Sequence, residues 1–395
     1  MAFADVVGLL RVAAQAAAVL VVARLLGPAD FGQYVALTTL LAVAAPLVPL
    51  GLDIAVVRLD DGRFATRRTV AVAVGLGLGV SALAAVVITA VLRQWSAIEL
   101  ASWLVLVVAL SESAHVVVAQ HAFRIRSLRG DPLAAAVAFG SPAWVKLLWA
   151  LLILAFSLPL HTALVLLTCL DVAATGLSAG LLVTALPARS ARAPIRALLR
   201  DGLSFAAAFG SRGAVYEVPR VVLTAVASSV SLGLFSVAGR LAQLGLVPAT
   251  AYMANRATVV IQRDTTPQAL VGILRRSVLL SSLAACAGIV AIPLIPVLLG
   301  EQYADARAIY AVLLLWIPLT TASLFVFEVT SLRHPGRASI ALPLGAAALM
   351  AASTYLAHGW GGTIGVAAAI VGTECLVAAA GLAHLVRVGA LRQRP

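Results

Sequence analysis

Twelve apolar runs, each long enough to cross a bilayer, leave this chain almost no residues from which to build anything else. They fall near residues 4–26, 34–57, 69–92, 100–119, 133–157, 160–186, 202–228, 234–261, 277–299, 308–332, 338–358 and 362–386. A run of at least about 18 such residues predicts a spanning helix, because hydrocarbon offers backbone N–H and C=O groups no partners but each other. The composition fits: 62% of residues are hydrophobic, 11% are charged and mean hydropathy is +1.05, whereas soluble domains carry about 25% charged residues. The expected fold is all-α and integral to a membrane.

The formal charge of +12 invites a nucleic-acid partner, but the placement of the charges argues for none. Arginines gather in the loops after even-numbered runs, as in Arg58, Arg63, Arg67 and Arg68, or Arg189, Arg192, Arg196 and Arg200, and again in the tail at Arg387, Arg392 and Arg394. The opposite loops hold Arg93 and Arg307. This bias puts the arginine-rich loops, and with them both termini, in the cytoplasm. The opening Met1-Ala2-Phe3-Ala4-Asp5 lacks a basic stretch and Arg11 interrupts the apolar run behind it, so no cleaved signal is expected. Cys169, Cys286 and Cys375 sit in separate runs, away from any histidine cluster. That argues against both a disulfide framework and a metal site, and no cofactor is expected.

The chain repeats itself weakly at an offset of 201 residues. Phe31-Gly32-Gln33-Tyr34 falls on Leu232-Gly233-Leu234-Phe235, Leu40 on Leu241, and Arg11 on Arg212. Each half therefore opens with an apolar helix carrying an arginine, a tight turn and a second helix. The basic stretch 187–201 lies at the midpoint and reads as a cytoplasmic linker between lobes 1–186 and 202–395, the second ending in a short basic tail. Six spans per lobe give both the same orientation, so the lobes are expected to be pseudo-symmetric six-helix bundles around a central cavity.

Several runs carry groups that lipid does not tolerate. Run two has Pro46, Pro49 and Gly51 before Asp53 and should bend there. Run four holds Glu112 and His115 one turn apart, run five has Pro142, Lys146 and Trp149 on one stripe, and run six carries Asp171 flanked by Thr168 and Thr175. His115 reads as a hydrogen-bonded packing residue. Run seven is the most polar, with Arg212, Tyr216 and Arg220 on one face and Glu217 at its edge. Trp95, Tyr303 and Trp360 stand at outer helix ends, where interfacial aromatics belong.

The turn Ala23-Arg24-Leu25-Leu26-Gly27-Pro28-Ala29-Asp30-Phe31-Gly32-Gln33-Tyr34, its echo Gly233-Leu234-Phe235-Ser236-Val237-Ala238, the loop Leu299-Gly300-Glu301-Gln302-Tyr303-Ala304-Asp305-Ala306 and the glycine-rich turn before run twelve resemble polysaccharide flippases of the multidrug/oligosaccharidyl-lipid/polysaccharide (MOP) exporter superfamily. The resemblance covers nearly the whole chain. It implies two six-helix lobes of MATE/MOP type forming a V-shaped cavity. It also implies alternating-access transport of a polyprenyl-pyrophosphate-linked glycan across the cytoplasmic membrane for cell-surface polysaccharide synthesis. Other envelope polysaccharide synthesis proteins and membrane lipids are then its expected partners.

Within that frame the charges at membrane depth acquire candidate roles, each costing roughly 3 kcal/mol on insertion scales unless compensated. Arg11, Lys146, Arg212, Tyr216, Arg220 and Arg256 are expected to line the cavity and bind the pyrophosphate, which suits arginine's two-pronged donors. The alternative is that the cations are interhelical ion pairs or reach to the interface, the reading favoured for Arg24 and Arg240. Glu112, Asp171, Glu217 and Glu374 are candidates for coupling transport to H+ or Na+. A rival reading, an exporter of organic cations, calls for an acidic or aromatic cavity. Another, a membrane glycosyltransferase or polymerase, calls for large acid-bearing outer loops and a nucleophile with its base, which the sequence does not display. A scaffold without transport is a further alternative.

Overall fold

The computed structural model describes residues 3–58, 65–95, 99–186, 195–261, 266–333 and 337–388, and all their regular structure is helical. The helices are α1 (Phe3–Ala44), α2 (Leu52–Arg58), α3 (Arg67–Gln94), α4 (Ser102–Leu128), α5 (Pro132–Phe156), α6 (Leu160–Ala185), α7 (Ile195–Val226), α8 (Ser229–Leu244), α9 (Val247–Ile261), α10 (Pro267–Ala291), α11 (Leu294–Leu299), α12 (Ala306–Arg333) and α13 (Arg337–Arg387), with a short 3-10 turn at Glu301–Tyr303. Their starts are written in the sequence. Thr66, Asp131, Ser228 and Thr266 each accept a hydrogen bond from the N–H three residues on, and Pro132 and Pro267 occupy first-turn positions that need no donor.

Among the described residues, eight helices are long and apolar enough to cross a membrane, or nine if the pair Ser229–Leu244 and Val247–Met253, bent by 46°, counts as one span. The sequence predicts twelve. The difference has identifiable causes: α1 and α13 are each two helices joined at a non-helical glycine, Gly27 (φ 75°) and Gly362 (φ 55°), and α7 is long enough but too highly charged to qualify. The bend expected in run two is a full break, a turn over residues 45–51 with Leu50 and Gly51 at positive φ. A side chain at Gly51 would strike the backbone of Gly202, which approaches it closely.

The chain divides into two compact units, Met1–Leu26 with Gln33–Gly213, and Gly27–Gly32 with Ala214–Pro395. The division falls inside α7. Residues 195–201, assigned to a linker by sequence, are its first turns, and 187–194 lie outside the described residues. A core of Leu52, Val56, Val70, Ile125, Leu182 and Leu198 fills one end of the first unit. In the second, Val215, Leu270, Phe325, Val326, Phe327 and Leu385 do the same.

Within the second unit the motifs that carried the family resemblance meet. A Cβ on Gly32 would collide with the Ser229 carbonyl oxygen, and one on Gly233 would collide with that of Pro28. The contact is reciprocal, because Ser229 and Gly233 lie 201 residues beyond Pro28 and Gly32. Gly27 in turn lies under the Gln302 side chain, 3.3 Å from where its own Cβ would be. Tyr303, expected as an interfacial aromatic, is instead fully buried beside this junction, and burial pushes its phenol up from the usual range. Trp360 is 94% exposed.

Candidate functional site

In the first unit, α4, α5 and α6 pack together and enclose a polar cluster. His115 on α4 is 1% exposed; its Nδ1 lies 2.9 Å from Asp171 Oδ1 on α6 and its Nε2 lies 2.9 Å from Ser141 Oγ on α5. Ser141 Oγ donates to the Ala138 carbonyl at 3.0 Å. That bond has a local origin: in a helix the Ala138 oxygen would accept from residue 142, which is a proline and has no N–H. One turn along α4, Glu112 Oε2 accepts from Lys146 Nζ of α5 at 3.4 Å, and Glu112 also feels the charges at Asp171 and His115. Glu112 Oε1 and Asp171 Oδ2 are buried with no hydrogen-bond partner among the described residues.

Arg11, on α1 of the same unit, lies 4.2 Å over the ring of Phe139, which itself packs against Phe123 at 4.8 Å. The guanidinium is half-buried and has no carboxylate partner among the described residues. Arg124, over Phe123 at 5.2 Å, is paired with Asp53.

In the second unit, the polar face of α7 turns into a small pocket lined by Tyr216, Pro219 and Arg220, with Phe235, Gln243, Trp316 and Glu374 opposite. Its interior volume of about 30 Å³ suits one or two waters. Arg220 is buried and donates to Glu217 Oε2 at 2.6 Å, so its charge is compensated one turn back on its own helix. Glu374 is 1% exposed and accepts from Ser323 Oγ at 2.6 Å, with Trp316 and Thr320 facing the same carboxyl group.

The residues singled out by sequence thus separate. Lys146, Glu112 and Asp171 come together, and so do Tyr216, Arg220, Glu217 and Glu374, while Arg11 stands apart on its aromatic ring. Arg256 is exposed, 5.8 Å over Tyr252. Arg212 is in α7, with its side chain outside the described residues. Thr168 and Thr175 do not reach the Asp171 carboxylate; they bond the backbone carbonyls of Leu164 and Asp171 on their own helix. Sequence reasoning passed over His115 and Ser141 as site residues. The signal was present in Pro142, which leaves a buried carbonyl needing a donor.

Residues 21–308 match the family described as polysaccharide biosynthesis protein. No curated relative matches the sequence. Among solved structures, the chain is similar to an inward-facing multidrug resistance MATE family transporter of the MOP superfamily, with TM-score 0.73 and 16% identity over 96% of this chain and 95% of that one. It is also similar to the lipid II flippase MurJ in an inward closed conformation, with TM-score 0.70 and 10% identity over 97% and 87%. A third likeness is to a MATE transporter in the bent conformation, with TM-score 0.63 and 17% identity over 99% and 94%. The chain therefore has the MOP exporter fold and is a multi-pass membrane protein.

Proposed function

We propose, from the premise that this chain belongs to the polysaccharide biosynthesis protein family, that it flips a polyprenyl-pyrophosphate-linked glycan across the cytoplasmic membrane by alternating access and is not an enzyme. The observation that carries this reading is Arg11. A cation at membrane depth is costly without compensation, and the Phe139 ring offsets part of that cost by covering one face of the guanidinium. Among the described residues no carboxylate takes the edge donors, and they suit two phosphate oxygens at once. Arg212, 201 residues on, and exposed Arg256 complete the proposed anion-binding set. Of the other cations proposed from the sequence, Arg220 and Lys146 are each held by a glutamate of their own unit. Both termini face the cytoplasm on the arginine bias of the loops.

The rival, an exporter of organic cations, calls for an acidic or aromatic binding cavity, whereas the arginines invoked here favour an anionic cargo. Coupling to H+ or Na+ is assigned to the acids Glu112 and Asp171, whose buried, partnerless oxygens mark a site that charge can enter. The test is translocation of a fluorescent polyprenyl pyrophosphate in proteoliposomes. Arg11→Ala should lower the rate at least about tenfold, the worth of one charge-assisted hydrogen bond of roughly 1.5–3 kcal/mol, with the amount of folded protein unchanged. Wild-type rates in Arg11→Ala would refute the assignment, and loss of folded protein would show Arg11 to be structural.

A further inference from the structure

We infer that Ser141, His115 and Asp171 form a storage site for one exchangeable proton, and that α5 bends at Pro142 when the proton leaves. The inference rests on the flippase reading for what the proton drives, but the site itself is argued from hydrogen-bond arithmetic alone.

A serine hydroxyl has one hydrogen. Ser141 uses it on the Ala138 carbonyl, which Pro142 has deprived of its helical donor. The Ser141 oxygen can then only accept from His115, so Nε2 carries a proton. The other ring nitrogen faces a carboxyl oxygen across 2.9 Å, and a hydrogen must lie between them as well, on Nδ1 or on Asp171. Either way the His115–Asp171 pair holds one proton more than a neutral imidazole and a carboxylate would. The charge count agrees. Lys146 balances Glu112, so the extra proton brings the His115–Asp171 pair to zero, as burial favours.

Unloading has a defined consequence. Without the proton, Nε2 becomes an acceptor, Ser141 must turn its hydrogen to it, and the Ala138 carbonyl is left with no donor. Water entering α5 at Pro142 can satisfy that carbonyl, so proton exchange and opening of the helix at the proline are one event. The ionisable groups around the pair are Glu112 on α4, Lys146 on α5 and Asp171 on α6. Of the other helices packed on α4, α2 contributes Asp53, held by Arg124, and α3 has its charges at its ends, Arg67, Arg68 and Arg93. The stored species is a proton rather than a metal cation, because N–H donors point at the carboxylate where a hard cation would need further oxygens.

The second unit supplies an internal contrast. The residue 201 positions after His115 is Trp316, and that after Pro142 is Pro343. Trp316 faces the buried acid Glu374 as His115 faces Asp171, but indole nitrogen is a donor only and carries no second proton. The matching place in the second unit therefore has no ring able to hold two protons.

The experiment is 15N NMR of histidine-labelled protein in nanodiscs near neutral pH, with undecaprenyl pyrophosphate as the added probe. His115 should show a protonated Nε2 in wild type and in Trp316→Phe, with a second proton on Nδ1 or on the Asp171 carboxyl, read by 13C labelling of the aspartates; in Asp171→Asn the amide can donate to Nδ1, so Nε2 stays protonated and the second proton is lost. An unprotonated Nε2 in wild type overturns the inference without any variant, and so does a bare Nδ1 beside an ionised Asp171. If Asp171→Asn does not fold, Asp171→Glu should retain both protons, and a single proton there counts against the site. Adding the probe should release about one proton per protein from wild type and none from His115→Gln, and equal release from both overturns the inference. Arg11→Ala should keep the Nε2 signal and lose probe-driven release. Release that persists in Arg11→Ala would defeat the anion-site reading and leave the proton site standing.

Discussion

Each of the two units buries an acid, Asp171 or Glu374, and surrounds it differently. In the first, Asp171 meets an imidazole whose far nitrogen is tied to a serine, and a lysine–glutamate pair lies one turn away. In the second, Glu374 meets a serine hydroxyl and an indole, and the nearby arginine is already matched with Glu217. The first arrangement contains a ring that can hold one proton or two, the second an indole that only donates.

The predictions probe that contrast in descending size. At the junction where the halves are alike, Gly32→Val and Gly233→Val should be equally damaging. Each puts a side chain into a backbone carbonyl that no rotamer change relieves, at a cost above about 3 kcal/mol, seen as loss of folded protein in detergent. Unequal effects would break the pseudo-symmetry of the turns. Removing one partner of each ion pair should expose the asymmetry. Glu217→Ala leaves buried Arg220 uncompensated, at about 3–5 kcal/mol, whereas Glu112→Ala leaves Lys146, more open at 29% side-chain exposure, at the roughly 3 kcal/mol of an unpaired charge at membrane depth. Thermal unfolding of the purified variants measures both, and a larger shift for Glu112→Ala would reverse the assignment. Smallest of all, Arg256→Ala should move stability by less than about 0.5 kcal/mol, since its side chain is exposed, and should slow translocation less than Arg11→Ala.

Much of this was legible in the sequence. The spans follow from hydropathy, the break before α2 from Pro46, Pro49 and Gly51, and the reciprocal glycines from the offset of 201. The Arg220–Glu217 pair is visible as neighbours one turn apart on a single helix. What stayed hidden depends on helices meeting. His115 and Asp171 are 56 residues apart and Ser323 and Glu374 are 51 apart, and periodicity does not say which faces of separate helices turn toward one another. Tyr303 was misread for a related reason. An aromatic residue at a helix end looks interfacial, yet here the fold buries it completely.

The most direct test of the central claim is translocation of a fluorescent polyprenyl pyrophosphate in proteoliposomes under an imposed pH gradient, comparing wild type, His115→Gln and Trp316→Phe. The account predicts that the gradient accelerates wild type and Trp316→Phe alike and leaves His115→Gln at its gradient-free rate. Acceleration that survives in His115→Gln and vanishes in Trp316→Phe would place the responsive site in the wrong unit and contradict it.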